Sequence, residues 1–163
     1  MMNECRLIYK SIATKDFLQS HYNLLRLTEQ SADKNQTLEV TGLLLLSGNQ
    51  FLQIIEGHQH HVNNIYQQII NDSRHSEVIL IDYCRAEERY FDEWSMRLIN
   101  MNDIYMEYKS YFMKKYTISN GAVLIPDKLF EVYSLLIDAK TYTPIQPWMG
   151  KTYTQQISKD KAD

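Results

Sequence analysis

Cysteine occurs only twice in the 163 residues, as Cys5 and Cys84. Two thiols in separate apolar segments, without a second Cys or His at metal-ligand spacing, exclude a disulfide framework and point to reduced side chains in a cytosolic chain. No apolar run approaches the roughly 18 residues of a membrane span, and MMNECRLIYK lacks the apolar stretch of a secretory signal, so a soluble, cytoplasmic protein without membrane contact is expected. An excess of basic charge is also missing. The chain sets 17 Lys+Arg against 20 Asp+Glu, a net charge of -3, and the basic residues are scattered, which argues against direct binding of nucleic acid. The five glycines form no phosphate-cradling loop, and neither a G-x-S-x-G turn nor a paired-carboxylate motif is present, so hydrolase or kinase chemistry has no visible machinery. Internal repeats and low-complexity tracts are absent as well.

What is present suits one compact domain: 44% of residues are hydrophobic. A chain of this length can bury roughly two-thirds of its unfolded surface, enough for a core and one enclosed ligand. Cys5, Leu7 and Tyr9 alternate with Arg6, Ile8 and Lys10 as in a strand. Thr14 can cap a helix running to about Lys34, on which Leu18, Tyr22 and Leu25 form a stripe. LEVTGLLLL, the turn residues Ser47 to Gln50, and FLQIIEG read as a hairpin. Val62, Ile65, Tyr66, Ile69 and Ile70 repeat at helical spacing, SEVILIDYCR returns to a strand, and WSMRL reads as a short last one. The order β-α-β-β-α-β-β predicts an α+β, ferredoxin-like sheet with two helices on one face. Its other face then needs a cover. Tyr105, Tyr108, Phe112 and Tyr116 on one candidate helix, and Leu129, Val132, Tyr133 and Leu136 on a second after Pro126, can supply it. A frayed tail is expected beyond Thr143.

Within FLQIIEG, alternation puts Gln53 on the face of Phe51 and Ile55, so a primary amide sits among apolar side chains. Leaving its donors and acceptor unpaired costs about 1–3 kcal/mol, so either a polar protein group or a ligand lies opposite. Tyr9 raises the same question, although a tyrosine packed in a core with its tip at the rim is the commoner arrangement. The first and third strands of a split βαβ sheet are neighbours, which lets this phenol and amide meet. His58, His60 and His61 lack a facing carboxylate or Cys and read as a solvated turn rather than a metal site. Asp72-Ser73-Arg74-His75 falls where the second helix ends, suited either to capping it or to touching a ligand.

Taken together, RLIYKS around Tyr9, the VTGLLL strand, FLQIIEG around Gln53, the DSRH tetrad at 72–75 and RYFDEWSM with Trp94 and Met96 resemble a BLUF domain, the sensor of blue light using FAD. The resemblance runs from Cys5 to Leu98. It implies a flavin-binding domain over residues 1–100, with FAD held non-covalently between the two helices, and a C-terminal helical cap or output segment over 101–163. By position, Tyr9 resembles the family's redox-active tyrosine, Gln53 the glutamine bridging it to the flavin, and Trp94 and Met96 the strand-five pair beside that glutamine. Asn35, just past the first helix, resembles the asparagine on the pyrimidine side of the ring, and Arg74, with Asp72 and His75 of the same tetrad, a basic contact there. Many members carry two amides in tandem where this chain has Lys34 and Asn35.

The resemblance further implies that blue light drives electron and proton transfer from Tyr9 and leaves the Gln53 hydrogen bonds rearranged. The expected protein is thus a photoreceptor and not an enzyme, signalling through an unidentified downstream protein, with a homo-oligomer expected and no metal. The competing readings are a flavin-binding enzyme and a flavin-free interaction module on the same scaffold.

Overall fold

The computed structural model describes residues 3–93, 95–104 and 106–143. The alternating first segment forms β1 (Glu4–Ala13), an inner strand of a five-stranded sheet of order β4-β1-β3-β2-β5. β2 (Thr41–Ser47) and β3 (Gln50–His58) are the expected hairpin; Gly48 turns it with φ 60°, a conformation that L side chains with a Cβ resist. Gly42 answers a different demand, since a Cβ there would stand 2.2 Å from the Ile54 carbonyl oxygen. β4 (His75–Arg85) pairs with β1 at one edge, and β5 (Arg97–Asn100) lies parallel to β2 at the other. The remaining pairings are antiparallel, and Tyr9 stands directly across from Gln53.

The first helix differs from the expectation. Thr14 does cap, accepting from the Phe17 amide, but α1 (Lys15–Leu18) is a single turn. The chain restarts at Ser20, whose hydroxyl accepts from the Tyr22 amide and caps α2 (His21–Thr37). That restart resets the helical phase. Leu18 and Tyr22 are exposed, and the buried stripe is Leu24, Thr28, Ala32 and Asn35. Asn35 therefore lies inside the last turns of α2, not past its end. α3 (Gln59–Ile70) follows the expected periodicity, burying Val62 and Ile65 but exposing Ile70.

Both sheet faces are covered. One carries α2 and α3 over Leu7, Tyr9, Leu44, Phe51 and Ile55. The other, with Ile8, Leu43, Leu45, Leu52 and Ile54, is covered by α4 (Met106–Lys115) and α5 (Leu129–Tyr142) through Phe112, Val132, Leu135 and Leu136. In the expected stripe of α5, Leu129 is exposed at the first position and Leu135 is buried in its stead. Between these helices β6 (Ile118–Ser119) and β7 (Ala122–Val123) form an unexpected small hairpin, for which Asn120-Gly121, both at positive φ, is the sequence signal. Tyr105 and the expected frayed end lie outside the described residues.

Candidate functional site

A cavity of about 260 Å³ opens between α2, α3 and the sheet. Its floor comes from alternation in the strands: Tyr9 from β1, Gln53 from β3, and Leu44 and Phe51 beside them. α2 contributes Leu27, Ser31, Lys34 and Asn35 at helical spacing, and α3 contributes Ile65, Gln68 and Ile69. Asp72, Arg74 and His75 close one end, and Met96, just before β5, closes the other. Eight of the nine site residues expected from sequence thus meet at one place; the ninth, Trp94, lies outside the described residues.

At the floor, the Tyr9 hydroxyl donates a short hydrogen bond to Gln53 Oε1. The amide nitrogen then points the other way, and Nε2 donates to Met96 Sδ at 3.5 Å. A thioether is a weak acceptor, so this buried amide has its second N–H and most of its donor capacity unspent beside the cavity. Burial pushes the Tyr9 phenol far above the usual tyrosine range; the charges of Asp72 and Tyr66 add to this, and Arg74 opposes it. The phenol therefore remains protonated. The rings of Tyr66 and His75 flank it at centroid distances of 5.9 and 6.1 Å.

Asn35 Nδ2 donates to the Ser95 carbonyl at 2.8 Å, tying α2 to the chain next to Met96. Its Oδ1 makes no hydrogen bond among the described residues. Lys34 is exposed at the rim. Arg74 holds Asp72 through Nε at 2.9 Å and Nη2 at 2.5 Å, and reaches Gln30 Oε1 from Nη1 at 3.4 Å. Burial works to raise the Asp72 pKa, but the Arg74 hydrogen bonds and charge outweigh it and hold that carboxyl below the ordinary range. Capping of the helix end falls to His75: its Nε2 donates to the Ile69 carbonyl at 2.7 Å, which leaves Nδ1 to accept from Ser11 Oγ at 2.7 Å.

Sequence reasoning missed Leu27, Gln30, Ser31 and Gln68. The first and third lie eight and four residues before Asn35 on the same helix face, so the spacing held the signal once Asn35 was placed on the helix. A second, open cleft shares Gln30 and Arg74 with the cavity and continues it past Asn23 and Arg26.

The cavity is slightly smaller than the roughly 300–1,000 Å³ typical of small-molecule sites, and its lining sets apolar side chains such as Leu27, Leu44 and Ile65 beside polar ones. A planar heteroaromatic group with ring carbonyls and nitrogens fits such a slot. Fold and site together define a small-ligand-binding α+β domain with a hydrogen-bonded phenol–amide pair at its floor.

The chain belongs to the family "Sensors of blue-light using FAD", whose model matches residues 5–97. It is a blue-light sensor domain whose cofactor is FAD. It is 37% identical over 70 residues to the blue light- and temperature-regulated antirepressor BluF of Escherichia coli (strain K12), covering 42% of this chain and 17% of that protein. To the photoactivated adenylate cyclase subunit beta of Euglena longa it is 32% identical over 91 residues, 55% of this chain and 10% of the other. The chain thus spans less than a fifth of the length of these curated relatives. Among solved structures it resembles the dark state of BlrB, a BLUF protein, with a TM-score of 0.57 and 28% identity over 63% of this chain and 77% of that one. It shares the fold of ground-state BlsA, with a TM-score of 0.69 and 21% identity over 82% and 87% of the two chains.

Proposed function

We propose that Tyr9, Gln53 and Met96 are the photoactive group of this sensor, with Trp94 their expected neighbour, and that the rearranged amide signals through β5 to the C-terminal segment. The observation that carries the reading is the Tyr9–Gln53–Met96 hydrogen-bond chain along the cavity floor. When bound, FAD supplies the absorption of blue light and an excited state that draws an electron. Tyr9 is the donor, and its proton is already directed at Gln53 Oε1, so losing an electron and moving that proton occur at one contact. Because Tyr9 stays protonated in the resting protein, it is ready to do both. Gln53 then has two ways to satisfy itself. In the described one its oxygen faces Tyr9 and its nitrogen faces Met96; in the other these ends exchange partners. A weak bond to sulfur keeps the two close in free energy, as a switch requires.

The remaining contacts follow from what each side chain has left. Asn35 offers Oδ1 and one amide proton to the pyrimidine edge of the ring, and Arg74 offers the guanidinium N–H groups not engaged by Asp72 and Gln30. Both nitrogens of His75 are engaged, so it shapes the wall, as Asp72 does by orienting Arg74. Lys34 stands at the rim. The cleft past Arg26 has room for the rest of the dinucleotide.

In this reading residues 1–100 bind the flavin and 101–163 form the output segment. The protein is a sensor without enzymatic activity of its own, cytoplasmic and homo-oligomeric, and acts on a downstream protein. Two free cysteines and exposed apolar side chains such as Phe130 and Ile137 on α5 support this. Absorption spectroscopy on the purified protein is the test. The expected result is a flavin spectrum that moves to the red under blue light and returns in darkness, with Tyr9→Phe and Gln53→Ala each keeping the flavin and losing the shift. A normal reversible shift in both variants overturns the assignment.

A further inference from the structure

Glu56 follows Gln53 by three residues on β3 and so faces the opposite side of the sheet. It is fully buried at 0% exposure, on the face away from the flavin cavity, where an unpartnered carboxylate would be strongly unfavourable. Its partners are three: Oε1 accepts from Arg6 Nε at 2.6 Å and from the Tyr90 amide at 3.1 Å, and Oε2 accepts from the Phe91 amide at 2.8 Å. Arg6 is in turn fixed by the Glu88 carbonyl at 3.0 Å and by the Tyr90 ring, 3.5 Å beneath its guanidinium. Burial disfavours the Arg6 charge, but the hydrogen bond and charge of Glu56 outweigh that and raise its pKa.

What this cluster holds is the connection between the two edges of the sheet. β4 ends at Arg85 and β5 begins at Arg97, on opposite sides, so the chain between them crosses the back of β1, β3 and β2. Its described residues form neither helix nor strand, and backbone amides buried in such a crossing need partners from elsewhere. Glu56 supplies two of them in mid-crossing. Five residues beyond Phe91, the same segment delivers Met96 to Gln53 on the other face.

We propose that Glu56 is a positioning residue of the light switch: by clamping the Tyr90–Phe91 amides from behind the strand that carries Gln53, it holds the Met96 thioether against the Gln53 amide and sets how fast the rearranged amide returns in darkness. Loosening the clamp lets Met96 move away, so the amide turns back with less hindrance. The inference rests on Gln53 being the switch.

Glu56→Gln keeps the shape but puts an NH₂ group opposite donors, so at least one of the three bonds is lost. The variant is expected to bind FAD and show the red shift, to return to the dark state about twofold to tenfold faster, the equivalent of one net hydrogen bond, and to exchange the Tyr90 and Phe91 amides faster. Arg6→Lys, which loosens the same cluster from its other end, should act in the same direction and serves if Glu56→Gln does not fold. Leu135→Ala is the control: it destabilises the same face without touching the clamp and should leave recovery unchanged. Recovery at the wild-type rate in both clamp variants, or an equal acceleration in Leu135→Ala, overturns the proposal. Absence of any light-induced shift in the wild-type protein would instead remove the Gln53 reading on which it rests.

Discussion

At the scale of single residues, the closed end of the cavity depends on one ion pair. Asp72 aligns Arg74, and its carboxyl is held below the ordinary range by the Arg74 hydrogen bonds and charge, against the pull of burial. A carboxyl depressed in the folded state contributes stability above its unfolded value of about 4, and this is lost as pH falls through the folded value. The pair is partly exposed, so the effect on global stability is small. Its effect on the site is expected to be clear: FAD affinity should weaken as pH falls through that depressed folded value, and Asp72→Asn should weaken binding already at neutral pH and flatten that acid limb. Flavin fluorescence on release measures both. Tyr9 and Gln53 were legible in the sequence, because a phenol and an amide out of place in apolar alternation identify themselves, whereas Asp72 entered as a site residue only with the resemblance carried by the tetrad at 72–75. Glu56 was legible only in part: alternation turned it away from Gln53, but its burial depends on Arg6 and Phe91, 50 and 35 residues distant, and no local pattern announces such partners.

At the scale of elements, strands were easier to read than the first helix. Period-two alternation survives small errors of boundary, whereas the break at Gln19–Ser20 shifted the helical phase and moved the buried stripe from Leu18 and Tyr22 to Leu24, Thr28 and Ala32. Ser20 was the available signal, a capping residue inside what looked like one continuous stripe. Of the aromatic stripe expected to face the sheet, Tyr108, Phe112 and Tyr116 pack into the back-face core while Tyr105 lies outside the described residues; the anchor is Phe112, fully buried and stacked with Tyr116 at 6.1 Å. Phe112→Ala should cost about 3–5 kcal/mol in denaturant unfolding, because the ring's contacts are lost and the surroundings close only partly. Its red shift should persist, since the residue is on the face away from the cavity. Loss of the shift at full flavin occupancy would show that the two faces are coupled more tightly than their geometry implies.

For the whole molecule, the sheet is the partition between two cores of similar make-up, one built around the ligand cavity and one under the C-terminal helices. The described residues of the C-terminal segment, 106–143, are therefore not an appendage. Truncation after Asn102 would strip cover from Ile8, Leu43, Leu45, Leu52 and Ile54, each at or near 0% exposure, and is expected to yield a protein that aggregates on sizing chromatography even with FAD in excess. Output is better examined in the intact chain. Between Met96 and the last helix runs a direct tie: the neighbouring Arg97, on the opposite side of β5, donates to the Lys140 and Thr143 carbonyls at 3.0 and 2.6 Å. Illumination should thus change amide exchange in the last turns of α5. Identical exchange over 106–143 in dark and light would make these helices structural cover alone.

The position of β5 has a mechanical consequence. It is four residues long, parallel to β2, and among the described residues paired on one side only, whereas β3 is paired to β1 along its whole length and to β2 from Gln50 to Glu56. Sliding β3 would tear two ladders and the floor of the cavity with them; sliding β5 disturbs one short ladder and leaves the other four strands as a fixed frame. A part with two resting positions can exist at this margin without lowering the stability of the whole sheet. The sheet is in effect a plate of four mutually paired strands with one lightly held edge at β5.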